Sequence, residues 1–499
     1  MSLMGIDIGT TNCKLGLYSE EGMILDIEKF ATPVKKTKNN YQNYDPVKLW
    51  ENIKNLIENI AGNNSNDRIK AIGISSMAET GLLVDKNTGE PRTGLIPWYD
   101  KRTLKQYNLV KEKINSKSVF KKIGIHPSYK YGLSKILWLK EKNENLIKNS
   151  VWFSTADYIA FCLTGNFQTD YTLGARTYLF RIDKKEWDRK LMDKFGLEEN
   201  LFPEVSFSGD IAGYTEEISG IDKGIPVCVS GHDHVCAAFA TGAVKPGIVF
   251  DSMGTAETLM GTLKARELDD RDYNSGFSYG CQVVKNKYFW MGGISASGGS
   301  IEWLRKILDR EELTYKEINQ LSRKAGTEPG DILYYPYLSG SGAPFPDPEN
   351  RGAFIGLDST HSRADLIKAV LEGTSFQLNA MKEQAEEISG NKIRKIITVG
   401  GGTYNEYWMR IKASICNCKF EVFAQPEAVL LGAALIAGMG VGIYNNMEEI
   451  PLEVSKKERK IYFPEKKYSL IYEKMFNEYM RLQKSLAKYN RRKINRRKK

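Results

Sequence analysis

Hydrophobic positions along the chain fall into short strand-like runs separated by helical stripes. Residues 4–8 form an apolar run broken by one carboxylate, Asp7, and Gly9-Thr10-Thr11-Asn12 supplies turn chemistry. Residues 14–18 then resume alternation, which predicts a β-hairpin. Over residues 46–60, Val47, Leu49, Trp50, Ile53, Leu56, Ile57 and Ile60 predict one buried helical face. Asp45 is placed to cap that helix and Pro46 suits its first turn. Residues 69–75 predict a buried strand and 82–85 another. Strand and helix signals keep alternating, which implies an α/β fold.

The opening pattern returns halfway along. Ile248-Val249-Phe250-Asp251-Ser252-Met253-Gly254-Thr255 echoes Ile6-Asp7-Ile8-Gly9-Thr10-Thr11, and an apolar run follows each. Chance recurrence of a common hairpin accounts for this as well as duplication does. If the halves are related, both glycine turns face one interdomain cleft, a frequent place for a ligand. The break falls at Lys245-Pro246-Gly247, giving domains 1–244 and 245–483.

Composition narrows the classes. A chain of 499 residues, 41% hydrophobic and 26% charged, is too apolar to be disordered and long enough for two to three domains. Its seven Cys show no framework spacing, and residues 1–4 carry no basic leader or cleavage site, so a reduced, cytoplasmic chain is expected. Cys416 and Cys418 have no second pair at zinc spacing. The longest apolar run, 429–444, has 16 residues with four glycines, which suits a packed core helix and is too short for a membrane span. Nine of the ten net positive charges lie in 484–499, so the rest of the chain is nearly neutral. That segment is expected to be a solvated arm beyond the last packed helix. No nucleic-acid-binding pattern accompanies it.

Candidate chemistry centres on glycine loops and two aspartates. No Walker sequence, GxGxxG or GxSxG is present. Four other loops could cradle phosphate: Gly9-Thr10-Thr11, Gly254-Thr255, Ser297-Gly298-Gly299-Ser300 and Gly400-Gly401-Gly402-Thr403. A tight turn explains any one of them; four together favour a phosphate site. Asp7 is either a wet strand residue or a carboxylate kept for Mg²⁺. Asp233, in Gly231-His232-Asp233-His234, falls where a strand gives way to a helix. There it is either a plain cap or a general base for a substrate hydroxyl. With four His in the chain, a His-ligated metal is disfavoured.

These residues resemble the FGGY carbohydrate kinases of the actin-like ATPase superfamily. Gly5-Ile6-Asp7-Ile8-Gly9-Thr10-Thr11-Asn12-Cys13-Lys14 is similar to the family's opening phosphate hairpin, and Trp98-Tyr99-Asp100-Lys101-Arg102 to its W-x-D-x-R segment. Thr169-Asp170-Tyr171 and Gly231-His232-Asp233 resemble its TDY segment and catalytic aspartate. Gly352-Ala353-Phe354-Ile355-Gly356-Leu357, continued by Asp365 to Glu372, satisfies its second signature. Gly400-Gly401-Gly402 with Asn405, then Glu427 and Gly432-Ala433-Ala434, resemble its carboxy-terminal nucleotide site. Two departures stand out: only Lys135-Ile136-Leu137-Trp138-Leu139 of the first signature is present, and Ser339-Gly340-Ser341-Gly342-Ala343-Pro344 replaces the usual G-E-R-T-P.

The resemblance implies two RNase H-like domains around a cleft that holds ATP, Mg²⁺ and a small sugar or polyol. It makes Asp233 the base and places Mg²⁺ on Asp7 and Asp233. Gly9, Thr10, Thr11, Lys14, Gly254 and Thr255 fall to the β- and γ-phosphates; Gly298, Gly401, Gly402 and Asn405 line the adenosine side. Glu79, Trp98, Asp100 and Arg102, with Asp233, are the acceptor-site candidates; a core position for Trp98 and a surface position for Glu79 compete with that role. Glycerol kinases carry an Arg-Glu pair where this chain has Ala78-Glu79, which points to a longer ketopentose or deoxyketose of the xylulose, ribulose or fuculose type. A glycerol- or erythritol-type polyol is the alternative, and an actin-like ATPase without a sugar substrate is a more distant one. No membrane or nucleic-acid partner is implied, and a homodimer is compatible with the pattern.

Overall fold

The computed structural model describes residues 1–37, 41–64, 66–217, 220–309, 311–446, 450 and 459–497. The first hairpin forms as the alternation requires, from β1 (Ser2–Ile8) and β2 (Asn12–Ser19), antiparallel with Asp7 opposite Lys14. It starts two residues before the apolar run at Met4, because Ser2 and Leu3 are buried between β2 and a parallel neighbour. Next come β3 (Ile24–Ala31) and α1 (Pro46–Asn63), whose Asp45 cap accepts from Lys48 N. Leu49, Ile53, Leu56, Ile57 and Ile60 are buried, whereas Val47 is 51% exposed because helical pitch puts it opposite that stripe. β4 (Ile69–Ser76) pairs parallel with β1, and β5 (Pro226–His232) parallel with β4. The strand expected at 82–85 is Gly81–Asp85, and it pairs with Ser150–Ser154 outside the main sheet.

The second half repeats this wiring. β6 (Ile248–Met253) and β7 (Glu257–Lys264) form a hairpin, and β8 (Lys287–Ile294) adds antiparallel. β9 (Lys395–Val399) lies parallel to β6, and β10 (Lys419–Val422) parallel to β9. Five strands of each sheet therefore run in one order, β3-β2-β1-β4-β5 and β8-β7-β6-β9-β10, with the same parallel and antiparallel senses. The echo in sequence is a repeat in topology.

The helices do not respect the division of the chain at 244–245. α2 (Asp233–Thr241) follows β5 directly. α6 (Ala428–Gly440), the helix inside the longest apolar run, packs on α2, β1 and β4 of the first half. Glycine permits the approach: a Cβ on Gly5 would sit 2.3 Å from Leu430 O, one on Gly73 2.0 Å from Ala433 O, and one on Gly432 2.0 Å from Cys236 O. Each half-chain thus completes a layer of the other, and the base of the cleft is continuous core.

The final helix corrects a sequence expectation. It runs Lys466–Arg497, so the basic segment from 484 continues a packed helix and is not an arm beyond it. Tyr472, Tyr479, Gln483 and Asn490 are buried along it, and Arg491 pairs with Asp347 at 2.9 Å. Lys498 and Lys499 lie outside the described residues. Among the described residues no helix is long and apolar enough to cross a membrane, and all seven cysteines are free thiols.

Candidate active site at the cleft between the two sheets

Asp233 stands where β5 ends and α2 begins, on a turn that other side chains hold in place. Asp170 accepts from Leu173 N, Thr172 N and Thr172 Oγ1, and that hydroxyl in turn accepts from His232 N at 2.8 Å. Gly231, at φ 110°, is required because a Cβ there would meet Thr172 Oγ1 at 2.3 Å. The TDY segment therefore positions the aspartate. Asp233 Oδ1 accepts from His234 N at 2.6 Å and lies 2.8 Å from His234 Nδ1 and 3.1 Å from His232 Nε2. Burial would raise this carboxyl, but His234 and His232 override it and hold it well below the usual carboxylate range. Potential ligand atoms of the three side chains lie within 4.8 Å of one another; one ring nitrogen of each histidine, His234 Nδ1 and His232 Nε2, faces Asp233, and His232 Nδ1 is buried without a hydrogen-bond partner among the described residues.

Asp7 reaches the same region from β1. It is 8% exposed, and its Oδ1 is buried without a hydrogen-bond partner. Burial, then Asp233, push the carboxyl up to about 8, against the pull of Lys14. An unsatisfied carboxylate oxygen facing a second carboxylate is a hard-oxygen donor set suited to Mg²⁺. Lys14 does not point freely into the cleft: its Nζ pairs at 2.5 Å with Glu427, the residue before α6, which sits at φ 60°. The bridge joins the first phosphate hairpin to the second half of the chain.

Glu79, which could have been a surface residue, has its side chain only 10% exposed, sits at φ 63° and is bonded to Arg176, with Nε donating to Oε1 at 2.7 Å. Burial opposes ionisation here, but Arg176, His232 and Lys130 together lower the Glu79 carboxyl. The Glu79 carbonyl is fixed by Lys135 Nζ, which also donates to Ile96 O at 3.0 Å. Burial pushes that ammonium down to about 7.

Trp98 is half-buried and takes a polar role: its indole N–H donates to Thr10 Oγ1 at 2.9 Å, which ties it to the turn of the first hairpin. Asp100 and Arg102 bond each other at 2.6 Å, and the guanidinium is spent between the Tyr41 and Trp138 rings, 2% exposed. Arg176, Lys130 and Lys135 were missed as site residues, although Lys135 opens the partial first signature and Arg176 follows the TDY segment by five residues.

On the other side of the cleft the remaining glycine loops converge. Gly298 N donates to Gly254 O at 3.1 Å and Gly299 N to Thr255 O at 2.9 Å, and a Cβ on Gly298 would meet Gly254 O at 2.5 Å. Gly400, at φ 100°, lies against Met253, whose carbonyl a Cβ would meet at 2.5 Å. Gly401 faces open space. Asn405 caps the helix Glu406–Cys416, accepting from Trp408 N at 3.0 Å, and its amide donates to Ser322 Oγ at 3.2 Å. Beneath the loops Lys412 and Glu257, both 0% exposed, form an ion pair; Ser297 donates to the same glutamate and Asp251 lies alongside. A cavity of about 760 Å³ spans the cleft, lined by Asp233, His234, Gly400, Gly401, Tyr404 and Glu427 among others. The catalytic candidate and a glycine loop of the opposite sheet thus share one space.

Known proteins match this arrangement over most of the chain. The model for the N-terminal domain of the FGGY family of carbohydrate kinases matches residues 2–240, and that for the C-terminal domain residues 250–441. The chain is 30% identical over 461 residues to a glycerol kinase of Thermococcus onnurineus (strain NA1), covering 90% of this chain and 91% of that protein. It is 28% identical over 487 residues to a xylulose kinase of Staphylococcus xylosus, covering 96% and 98%. The crystal structure of a gluconate kinase from Lactobacillus acidophilus superposes with a TM-score of 0.89 at 23% identity, covering 97% and 98%, in the actin-like ATPase fold. With both halves matched, this protein belongs to the FGGY family of carbohydrate kinases, ATP-using phosphotransferases with an alcohol group of a small sugar or polyol as acceptor.

Proposed function

We propose that Asp233 accepts the proton of the attacking hydroxyl and that the acceptor is a small ketose of the xylulose, ribulose or fuculose type. The observation that carries the reading is the placement of an ionised, doubly hydrogen-bonded Asp233 in the cavity that Gly400 and Gly401 also line. A carboxylate held so low is a weak base, which suits phosphoryl transfer: its transition state needs an aligned nucleophile more than early deprotonation. Asp233 aligns the hydroxyl; the glycine loops present backbone N–H groups to the triphosphate. Glu79 accepts from further hydroxyls, and Arg176 holds that carboxylate in place. Asp7 and Asp233 would hold Mg²⁺, which neutralises phosphate charge when bound. Closure of the two halves excludes water from the transfer, and the chain acts in the cytoplasm.

A polyol acceptor is the second reading, and one contact favours it. The arginine absent at Ala78 is replaced in space by Arg176, which restores a Glu-Arg pair from another element. Ala78 itself is buried in core, 3% exposed, so it opens no room for a longer ligand.

The test is ADP release with a panel of ketoses and polyols. Acceptor-dependent release is expected, and Asp233→Asn is expected to lower it about 10²–10⁴-fold without loss of folding. If no sugar or polyol raises release above the acceptor-free rate, the kinase reading fails. If Asp233→Asn keeps full turnover, the base is elsewhere.

A further inference from the structure

Three carboxylates stand on the acceptor side, and each has a hydrogen-bonding partner of its own. Glu79 is bonded to Arg176, Asp233 to His234 and His232, and Asp100 to Arg102. Lys135 is spent on the Glu79 and Ile96 carbonyls, which leaves one further ammonium. Lys130 has its Nζ 5.0 Å from the centre of the Trp98 ring and lies in the field of Glu79 and Arg176, but makes no side-chain hydrogen bond among the described residues. The Trp98 ring beneath it is anchored through its N–H to Thr10 of the phosphate hairpin. The Trp98 ring thus ties the ammonium to the Thr10 turn on one side, with the Glu79–Arg176 pair on the other.

We propose that Lys130 is a specificity-determining residue that reads an acceptor-only oxygen of the substrate, the carbonyl of an open-chain ketose. The inference rests on the kinase reading above and names the substrate chemistry within it. An ammonium has three donors and no lone pair, whereas Glu79 and Asp233 are acceptors only. Substrate hydroxyls satisfy the carboxylates by donating; Lys130 is satisfied only by an oxygen that accepts. A carbonyl oxygen does this without a proton to place. A hydroxyl at the same position must turn its proton toward another acceptor, so reduction of the ketose to its polyol weakens the contact. A carboxylate oxygen, as in an aldonate of the same length, shares the acceptor-only chemistry. Trp98, under the ammonium, offers its face to the C–H edge of the sugar and restrains the lysine by cation–π attraction.

The experiment compares matched acceptors on the full chain: xylulose or ribulose, the polyol made by reducing each, and the five-carbon aldonate. Wild type is expected to prefer ketose to its own polyol by tenfold or more in kcat/KM. In Lys130→Met, which keeps an unbranched stem over Trp98, that ratio falls tenfold or more, chiefly through KM for the ketose. Lys130→Arg recovers part of it. If the aldonate is the best acceptor and Lys130→Met loses it, the acceptor-only oxygen is a carboxylate and the role of Lys130 stands. A ratio that Lys130→Met leaves unchanged, whether both substrates fall alike or neither falls, overturns the inference and leaves the kinase reading intact.

If no acceptor raises ADP release in wild type, the kinase reading fails, and the shift in unfolding midpoint with each ligand decides the inference alone. A ketose or aldonate shift present in wild type and lost in Lys130→Met upholds it. No such shift in wild type overturns it.

Discussion

Asp7 and Asp251 lie on corresponding strands of the two sheets, one residue out of step, and have opposite fates. Each lies on the first strand of a hairpin, Asp7 two residues before its turn glycine and Asp251 three, and each pairs in parallel register with a hydroxyl residue, Asp7 with Ser75 and Asp251 with Thr398. Asp7 keeps an oxygen without a partner and is pushed up to about 8 by burial and by Asp233. Asp251 is 0% exposed, accepts from Thr398 Oγ1 on its Oδ2 at 3.4 Å, also leaves its Oδ1 without a hydrogen-bond partner among the described residues, and sits in the field of the Lys412–Glu257 pair. One copy of the strand sets its carboxylate in the field of Asp233 at the cleft. The other encloses its carboxylate in a charged cluster under the loops of the opposite wall. A shared topology supplies two similar carboxylates, and the neighbouring side chains decide which one is available for chemistry.

The sharpest way to break this comparison is to exchange charge for amide in the first copy. Asp7→Asn is expected to lower turnover about 10²–10³-fold, the several kcal/mol that a held cation contributes. Its unfolding midpoint near pH 7 without Mg²⁺ should stay level or rise, because burial and Asp233 disfavour the charged carboxylate in the native state. Steady-state ADP release and thermal unfolding measured together check both halves of that statement. Turnover that survives Asp7→Asn would put the two aspartates in the same structural class.

The second copy predicts the reverse pattern. Lys412→Met removes the buried cation and leaves Glu257 and Asp251 uncompensated, so a loss of about 3–5 kcal/mol is expected by chemical denaturation. Glu257→Gln in the same chain should return part of it, since no buried charge then faces the glutamate position. The reason lies in the connections: Glu257 follows Gly254-Thr255, Ser297 precedes Gly298, and Lys412 is on the helix after Asn405. A midpoint unchanged by Lys412→Met would show that the cluster does not secure those loops.

The difference between the copies also marks what the amino-acid order could reveal. The hairpins, α1 and the Gly-Thr echo were legible because period-two alternation, a cap and a turn are local signals. The glycine loops and Asp233 could be singled out because their spacing is itself a motif. Arg176, Lys130 and Lys412 were not, since a lone basic residue looks solvated until folding brings its carboxylate from far along the chain. Glu79 and Arg176 are 97 positions apart. The docking of α6 on the first sheet was equally hidden: its glycines predicted tight packing but not against which strands. The basic tail was misplaced because its charges outweigh the Tyr472, Tyr479 and Gln483 stripe that seats the helix.

A third buried carboxylate sharpens the contrast by using neither cation nor cluster. Glu372 is 0% exposed, accepts from Gly330 N at 2.9 Å and Tyr472 Oη at 3.1 Å, and burial pushes it up to about 7 in spite of Lys368. The native state therefore holds a proton that the unfolded chain releases near its ordinary value. Stability from this group is fully present below about pH 4.5 and declines until the pH has risen through about 7, where the loss is of the order of 3 kcal/mol. Glu372→Gln is neutral throughout, so its stability relative to wild type should climb over that window and level off above it. A difference that is flat with pH would mean Glu372 is ionised in the native protein.

The smallest effect tests how the open copy is braced. Thr10, in the turn after Asp7, accepts from Trp98 Nε1 at 2.9 Å, and Tyr44 Oη donates to its carbonyl at 3.2 Å. Thr255, in the matching turn, is exposed to the cleft and is gripped through its backbone by Ser297 N and Gly299 N. Trp98→Phe keeps an aromatic wall and deletes only the N–H. The net value of such a bond is about 0.5–1.5 kcal/mol, so a rise of about twofold to tenfold in KM is expected. Because Trp98 touches both the phosphate hairpin and the acceptor wall, KM for ATP and for the acceptor should rise together. A change confined to the acceptor would mean that Trp98 acts only as a wall and that Thr10 holds its turn without it.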